Sequence, residues 1–167
     1  MAEPSFNVLW LQSGGCGGCS MSLLCADTGD FAAQLRQMGV RLLWHPSLSL
    51  STGQESLQIL QDCLDGRTPL HALCIEGAVL RGPGGTGRFH LLAGTQQPMM
   101  DWVRRLSAVA RRVVAVGSCA AYGGISAGGS NPTDACGLQY EGDQCGGLLG
   151  AAWRDLQGLP VPEQVWG

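Results

Sequence analysis

The stretch Gly14-Gly15-Cys16-Gly17-Gly18-Cys19-Ser20 decides the fold, because it separates two segments with different patterns. The apolar run Phe6–Gln12 precedes it and predicts a strand, whereas residues 20–26 suit a helix. Glycines let the backbone adopt positive φ and approach a bulky group closely. A Cys-x-x-Cys pair is typical of iron–sulfur sites, of zinc ribbons and of thioredoxin-like redox pairs. We therefore predict a strand, a tight loop that presents two thiols, and a helix.

The same alternation of strand and helix continues along the chain. The remaining apolar runs predict strands over residues 40–45, 70–76 and 112–117, the last of them central because it is nearly all apolar. The remaining helical patterns cover residues 31–38, 53–64, 98–110 and 151–156, and residues 126–150 are expected to be irregular. Strands that alternate with helices indicate an α/β fold with an open parallel sheet and helices on both faces.

Three cysteines and one glutamate fall at the carboxyl ends of these strands. Cys16 and Cys19 follow the first strand, Glu76 ends the third, and Cys119 follows the fourth. Ligands of parallel sheets bind beyond this edge, so we expect the four side chains to converge there as a metal site. For Glu76 two roles stay open, a buried acid that carries protons or hydrogen-bonds a cluster, and an ordinary capping acid.

The other candidate residues have simpler interpretations. Cys25, Cys63 and Cys74 lie within helical or strand-like runs, where a core role is favoured. Cys136 and Cys145 are the remaining cysteines that could supply a fourth ligand, although neither follows a strand directly. For His45 and His90, satisfied or exposed loop positions are favoured over a role beside a cofactor. The glycine-rich residues 82–87 lack the Lys-Ser/Thr ending of a phosphate-binding P-loop.

Composition limits the partners. Charged residues make up only 14% of the 167 residues, which indicates a surface partly covered by another protein or by further chain. The net charge of −3 argues against nucleic-acid binding, and no apolar stretch is long enough for a membrane span. The N-terminal residues show no export signal, so we expect a cytoplasmic location with reduced thiols.

At this point the sequence resembles the small subunit of a [NiFe] hydrogenase. Five stretches carry the resemblance in the family's order along the chain: Val8–Gln12 with Cys16–Cys19, Leu43–Ser47, Ile75–Val79, Gly84–Arg88 and Val116–Ile125. The last of them, Val-Gly-Ser-Cys-Ala-Ala-Tyr-Gly-Gly-Ile, is the most specific. The residues of these motifs are most similar to those of the cytoplasmic hydrogen-sensing (regulatory) and related uptake branch of the family.

The resemblance implies a flavodoxin-like domain that holds a proximal [4Fe–4S] cluster against the nickel–iron site of the hydrogenase large subunit. It carries ligand roles onto Cys16, Cys19 and Cys119, and positions near the cluster onto Glu76, Gly15 and Ser118. It implies an oxidoreductase that is active only with the large subunit. Electrons from hydrogen oxidation then reach an acceptor protein or a sensor kinase through the complex.

The sequence departs from the family pattern near its end. The family places its fourth ligand in a Gly-Cys-Pro segment after a fifth strand that begins Gly-Leu-Pro-Val. Here residues 158–161 match that beginning, but residues 162–167 continue differently. We expect a truncated or altered fifth strand, one incomplete domain over residues 1–167 without a C-terminal cluster domain, and Cys145 or no cysteine as fourth ligand. The alternatives are a non-redox docking or zinc-binding module and, less favoured, a flavin or nucleotide binder.

Overall fold

The computed structural model describes residues 6–26, 29–141, 144–150 and 165–166. Its strands are β1 Phe6–Gln12, β2 Val40–Trp44, β3 Ala72–Glu76, β4 Val79–Leu80, β5 Arg112–Val116, β6 Ala135–Cys136, β7 Tyr140–Glu141, β8 Gln144–Cys145 and β9 Val165–Trp166. Its α-helices are α1 Gly18–Leu24, α2 Phe31–Gln37, α3 Gln54–Leu64, α4 Met99–Val109 and α5 Gly117–Tyr122, and a 3₁₀ helix follows at Gly124–Ala127.

The main sheet is parallel throughout, with the order β2-β1-β3-β5-β9. Counted along the chain within this sheet, the order is 2-1-3-4-5, which is the flavodoxin-like arrangement. The predicted α/β fold is confirmed. Among the described residues, Val165 and Trp166 pair with β5 in parallel, at the place of the predicted fifth strand. Whether that strand is truncated stays a prediction.

The central strand is β3, not β5 as its apolar sequence led us to expect. All five residues of β3 are buried, whereas Arg112 at the start of β5 is exposed. β3 has β1 on one side and β5 on the other, and each of those strands has one further neighbour. An apolar strand sequence therefore identifies an interior strand without distinguishing the middle one from the next.

Local signals set the helix ends close to where the sequence places them. α2 begins after Asp30, whose Oδ1 accepts a hydrogen bond from the backbone N–H of Ala33 at 3.1 Å, a typical N-cap. Gly39, with φ of 73°, follows the helix and leads into β2. The predicted helix over residues 151–156 lies outside the described residues. None of the described helices has the length and apolar character that crossing a bilayer requires.

The region expected to be irregular contains three two-residue strands. β6 pairs with β4, and β7 pairs with β8, both in antiparallel fashion. Arg81 ties this region down, because its guanidinium contacts Asp134 at 2.6 Å and Glu141 at 2.8 Å. Strands of two residues are too short to show an alternating pattern, which is why the sequence did not indicate them.

Strand register aligns the ends that matter for function. Gln12 of β1 lies opposite Glu76 of β3, and Glu76 lies opposite Val116 of β5. The three strands therefore end level with one another at one edge of the sheet. Since neighbouring strands are about 4.8 Å apart, the segments that follow β1 and β5 start about 10 Å apart with Glu76 between them.

Candidate functional site

Backbone hydrogen bonds tie the segment after β1 to the segment after β3. The Ser13 N–H donates to the Glu76 carbonyl at 2.7 Å, and Gly14 and Ala78 exchange two hydrogen bonds of 2.8 Å. A Cβ atom added at Gly15 would lie 2.9 Å from the Gly77 Cα atom, closer than real side chains come. Glycine is thus required where the two segments touch. The position of Gly15 near a cluster stays a prediction.

The first two cysteines flank the turn that begins α1. Gly17 adopts a left-handed conformation with φ of 73°, and the helix starts directly after it at Gly18. Cys16 is exposed before the turn, and Cys19 is half-buried in the first helical turn. The backbone N–H of Gly18 donates to Cys16 Sγ at 3.4 Å. The two thiols therefore have different environments although only two residues separate them.

Cys119 lies in the first turn of a second short helix, α5, instead of in the glycine loop predicted from the sequence. α5 starts at Gly117, immediately after β5 ends at Val116. Gly117 has a φ of 79°, and a Cβ atom there would collide with Cys19 Sγ. A Cβ atom at Gly124 would likewise lie 2.6 Å from Cys119 Sγ. Glycines on both sides of Cys119 therefore leave room for sulfur atoms from two distant parts of the chain.

The three thiols influence one another electrostatically at this edge of the sheet. Burial raises the pKa of the Cys19 thiol above its ordinary value, and the charges of Glu76, Cys119 and Cys16 raise it further, in that order. Groups must lie close together for such coupling, so the structure brings Cys16, Cys19 and Cys119 to one edge beside Glu76. A positively charged metal centre would offset these effects and stabilise the Cys19 thiolate.

Glu76 is fixed by three donors. Its Oε1 accepts a hydrogen bond of 3.1 Å from the Ser20 backbone N–H, and its Oε2 accepts one of 3.2 Å from the Trp10 indole N–H. The Ser20 hydroxyl also donates to Oε2. The carboxylate is only 2% exposed and is therefore a buried acceptor that holds the start of α1.

The sequence analysis missed Ser20 and Trp10 as members of this site. Both residues are buried and donate hydrogen bonds to Glu76, Trp10 from β1 and Ser20 from α1. Ser20 directly follows Cys19 in the motif, which is the one signal that could have indicated it. Ser118, predicted near the cluster, is exposed in the first turn of α5.

The two loop histidines lie near this edge in different ways. His45 is fully buried with its Nε2 atom 3.3 Å from the Ser20 hydroxyl oxygen. His90 is half-buried with its Nδ1 atom 3.5 Å from the Ser13 hydroxyl oxygen, and burial lowers its pKa. His45 therefore belongs to the hydrogen-bond network around Glu76, whereas His90 makes one weak contact with the loop after β1.

The remaining described cysteines are separate from the site. Cys63 and Cys74 are buried in the core, as predicted. Cys136 is buried in β6. Burial raises the pKa of Cys63 to about 11 and that of Cys74 to about 12, which makes both thiols unreactive. The predicted core role is wrong for Cys25, which is exposed because it lies just after the short helix α1 ends. The side chain of Cys145 lies outside the described residues, so its proposed ligand role stays a prediction.

Thiolates are the usual ligands of iron–sulfur clusters and are also ligands of zinc. Within the part of the chain that the structure describes, no group of three or more His, Cys, Asp or Glu side chains is placed to hold one metal ion. In a [4Fe–4S] cluster, each thiolate binds a different iron, so the sulfur ligands stand apart around a bulky inorganic core.

Comparisons with known proteins agree with the motifs. The family model described as "NADH ubiquinone oxidoreductase, 20 Kd subunit" matches residues 16–165. The Hydrogenase-2 small chain of Escherichia coli K12 is 31% identical over 144 residues, which are 83% of this chain and 37% of that protein. The small subunit of the periplasmic [NiFeSe] hydrogenase of Desulfomicrobium baculatum is 32% identical over 134 residues, covering 75% of this chain and 42% of that one.

A solved structure gives the same answer for the fold. The actinobacterial-type NiFe-hydrogenase from Ralstonia eutropha H16 superimposes with a TM-score of 0.75 and 29% identity, over 95% of this chain and 47% of that chain. The chain thus spans less than half the length of each of these relatives. It belongs to the family of the NADH ubiquinone oxidoreductase 20 Kd subunit and, as the motifs predicted, its relatives are small subunits of nickel–iron hydrogenases.

Proposed function

We propose that this chain is the electron-transfer subunit of a [NiFe] hydrogenase and that Cys16, Cys19 and Cys119 hold a proximal [4Fe–4S] cluster. The observation that carries the proposal is the convergence of three thiols from two distant segments beside a buried carboxylate. When bound, such a cluster supplies one-electron redox chemistry. The similarity to hydrogenase small chains supports hydrogen oxidation at a large subunit as the source of electrons.

The chain's own residues would hold and tune the group. Cys19 and Cys119 are half-buried, so their thiolates would face a centre partly shielded from water, whereas Cys16 is exposed. Hydrogen bonds and burial around the ligating sulfurs set a cluster's reduction potential. The Gly18 N–H that points at Cys16 Sγ is one such hydrogen bond. The fourth iron ligand, Cys145 or a group other than cysteine, is not assigned.

A large subunit is the proposed partner at this edge. Three apolar side chains stand exposed on the two helices and the 3₁₀ turn that follow the cysteines: Met21 at 59%, Tyr122 at 43% and Ile125 at 86%. Exposed apolar groups around a redox site indicate a surface that another protein covers. Covering it would also exclude water from the exposed Cys16.

Reconstitution tests the cluster directly. The full chain is incubated without oxygen with ferrous iron and sulfide, and bound iron, acid-labile sulfide and the paramagnetic resonance signal after reduction are measured. We expect iron and sulfide in nearly equal amounts and a reducible signal. The Cys16→Ala/Cys19→Ala double variant should lose all three readouts, while Cys25→Ala, which removes an exposed thiol outside the site, should keep them.

The same measurements separate the alternatives. Bound zinc without sulfide would replace the cluster proposal by a docking or zinc-binding module. A bound chromophore with flavin absorption would replace it by a flavin site. An unchanged cluster signal in the double variant would remove Cys16 and Cys19 from the ligand set.

The biological setting is proposed on the resemblance to the hydrogen-sensing and uptake branch. We propose a cytoplasmic location, which cell fractionation tests. Deletion of the gene separates the two roles: loss of hydrogen-dependent gene expression with intact dye reduction indicates sensing through a sensor kinase. Loss of hydrogen-dependent dye reduction indicates uptake and electron delivery to an acceptor protein.

A further inference from the structure

A buried histidine sits behind the site without touching the thiols. His45 follows β2, has no exposed surface, and packs its ring against Trp10 with 5.0 Å between ring centroids. The turn after β2 fixes the backbone of His45 by two hydrogen bonds. The His45 N–H donates to Ser49 Oγ at 2.9 Å, and the Ser49 N–H donates to the His45 carbonyl at 3.0 Å. A polar ring this deeply buried needs partners for both nitrogens.

The partners of the ring fix its tautomer. The Ser47 backbone N–H points at Nδ1 from 3.0 Å, so Nδ1 accepts and carries no proton. Burial lowers the pKa of His45, against an opposing effect of Glu76, which favours the neutral ring. The single proton of a neutral ring whose Nδ1 accepts must lie on Nε2, and Nε2 faces the Ser20 hydroxyl oxygen at 3.3 Å.

The direction of the next hydrogen bond then follows. The Ser20 hydroxyl accepts from His45 Nε2, so its one proton is available for Glu76 Oε2, which it contacts. Ser20 also gives its backbone N–H to the other carboxylate oxygen at 3.1 Å. The first turn of α1 is thereby clamped to the end of β3 by two bonds, and the imidazole decides the orientation of one of them.

We infer that His45 is a positioning residue for Cys19: its Nε2–H orients the Ser20 hydroxyl toward Glu76 and so locks the helical turn that carries the thiol. The inference rests on the proposed function in one respect, that Cys19 matters as a cluster ligand. The histidine does not touch the proposed ligands itself. It acts through Ser20, which directly follows Cys19 in the chain.

The test measures Cys19 reactivity in the full chain before any cluster is built. Iodoacetamide labels the reduced protein at pH 8, and peptide mass spectrometry gives a rate for each cysteine. His45→Phe keeps the ring and loses the donor, whereas His45→Gln keeps a donor near the Nε2 position. We expect Cys19 to react about fivefold to tenfold faster in His45→Phe, the factor that loss of one buried hydrogen bond produces, and near the wild-type rate in His45→Gln.

A matched histidine and a second cysteine serve as controls. His71 lies at the opposite edge of the sheet and also accepts a backbone hydrogen bond at Nδ1, from Asn7 at 2.9 Å. His71→Phe should leave the Cys19 rate unchanged. Cys25, at the far end of α1, should keep its rate in every variant, because only the first turn is released.

A double-mutant cycle decides whether His45 acts through Ser20. Ser20→Ala alone should accelerate Cys19, and adding His45→Phe should accelerate it no further, since both break the same chain of hydrogen bonds. Equal acceleration by His45→Gln and His45→Phe, additive effects in the double variant, or acceleration by His71→Phe would each overturn the inference. So would parallel acceleration of Cys25, which indicates general melting of α1.

The cluster provides a second readout that keeps the two proposals distinct. After reconstitution, His45→Phe should shift the midpoint potential or lower the iron content relative to His45→Gln. If the wild-type chain binds no cluster, the proposed function fails, and the thiol rates still decide the role of His45. If the cluster forms and the thiol rates do not differ between the two variants, the inference fails alone.

Discussion

The two edges of the main sheet use their polar side chains in different ways. At the amino-terminal edge, the side chains of Asn7 and His71 form hydrogen bonds with backbone groups. The Asn7 side chain donates to the Pro69 carbonyl at 2.8 Å, and the Asn7 N–H donates to His71 Nδ1 at 2.9 Å. At the carboxyl-terminal edge, Glu76 collects three donors within reach of three free thiols.

This difference separates polar groups that complete the fold from those that prepare a site. Hydrogen bonds at the amino-terminal edge join neighbouring segments, and His71 also stacks on Phe6 with 5.3 Å between ring centroids. Every one of those contacts stabilises the end of a strand. At the other edge, burial and the neighbouring acidic groups raise the pKa of Cys19, so a cationic centre there would stabilise its thiolate. Changes at the first edge should therefore alter stability, and changes at the second should alter binding.

The largest expected effect is the loss of iron from one cysteine variant. Cys119→Ser keeps the shape of the side chain and replaces a soft thiolate by a hydroxyl, so we expect bound iron and sulfide to fall by more than about tenfold. Cys74→Ala, in the core of β3, should lower the free energy of unfolding by about 1–2 kcal/mol and leave the iron content unchanged. Iron analysis and urea unfolding of both variants measure this. Equal loss of iron in Cys119→Ser and Cys74→Ala would contradict the distinction between site thiols and core thiols.

The next effect concerns the glycine between the two groups of thiols. Gly117→Ala places a methyl group against Cys19 Sγ at a φ of 79°, so we expect about 2–3 kcal/mol of destabilisation together with reduced iron binding. Gly84 is the matched control, because it has a φ of 57° and open space around its Cβ position. Gly84→Ala should cost only the backbone strain, about 1–2 kcal/mol, with full iron content. Normal iron binding in Gly117→Ala would show that close approach at this position is not needed.

How far the sequence predicts this molecule can be judged at the same edge. Cys16, Cys19, Glu76 and Cys119 could be placed together because each follows or ends a strand, and parallel strands finish on one side. The network of Ser20, Trp10 and His45 could not, since it depends on the register that sets Gln12 opposite Glu76 and on a turn after β2. Because Gly17 forms the turn before it, α1 begins at Gly18, two residues earlier than predicted. Cys19 is therefore helical where a loop was expected.

A third effect is the loss of stability in alkali that buried core thiols cause. Burial raises the pKa of Cys63 to about 11 and that of Cys74 to about 12, from an ordinary value of 9.0. Between pH 9 and pH 11 the unfolded chain has lost protons that the folded chain keeps. The free energy of unfolding should therefore fall as pH rises, by up to about 1.4 kcal/mol per thiol and pH unit.

Urea unfolding at pH 8, 9, 10 and 11 checks that dependence. The Cys63→Ala/Cys74→Ala variant should be less stable at pH 8 and show a shallower decline, because it lacks the two titrating groups. A decline equally steep in the variant would assign the alkaline effect to other groups, the thiols at the carboxyl-terminal edge among them.

The smallest expected effect lies at the amino-terminal edge and is the strictest test of the contrast. Asn7→Ala removes one side-chain hydrogen bond and leaves the Pro69 carbonyl without that donor, so we expect about 1 kcal/mol of destabilisation. Asn7 lies at the opposite end of β1 from the thiols, and its bonds to Pro69 and His71 also reach the start of β3. β1 is anchored at its other end by the Ser13 and Gly14 backbone bonds. Iron content, cluster potential and the Cys19 labelling rate should therefore equal those of the wild type. A changed Cys19 labelling rate in this variant would mean that strain at one edge of the sheet reaches the other edge through its strands. The sheet would then take part in the site and not only support it.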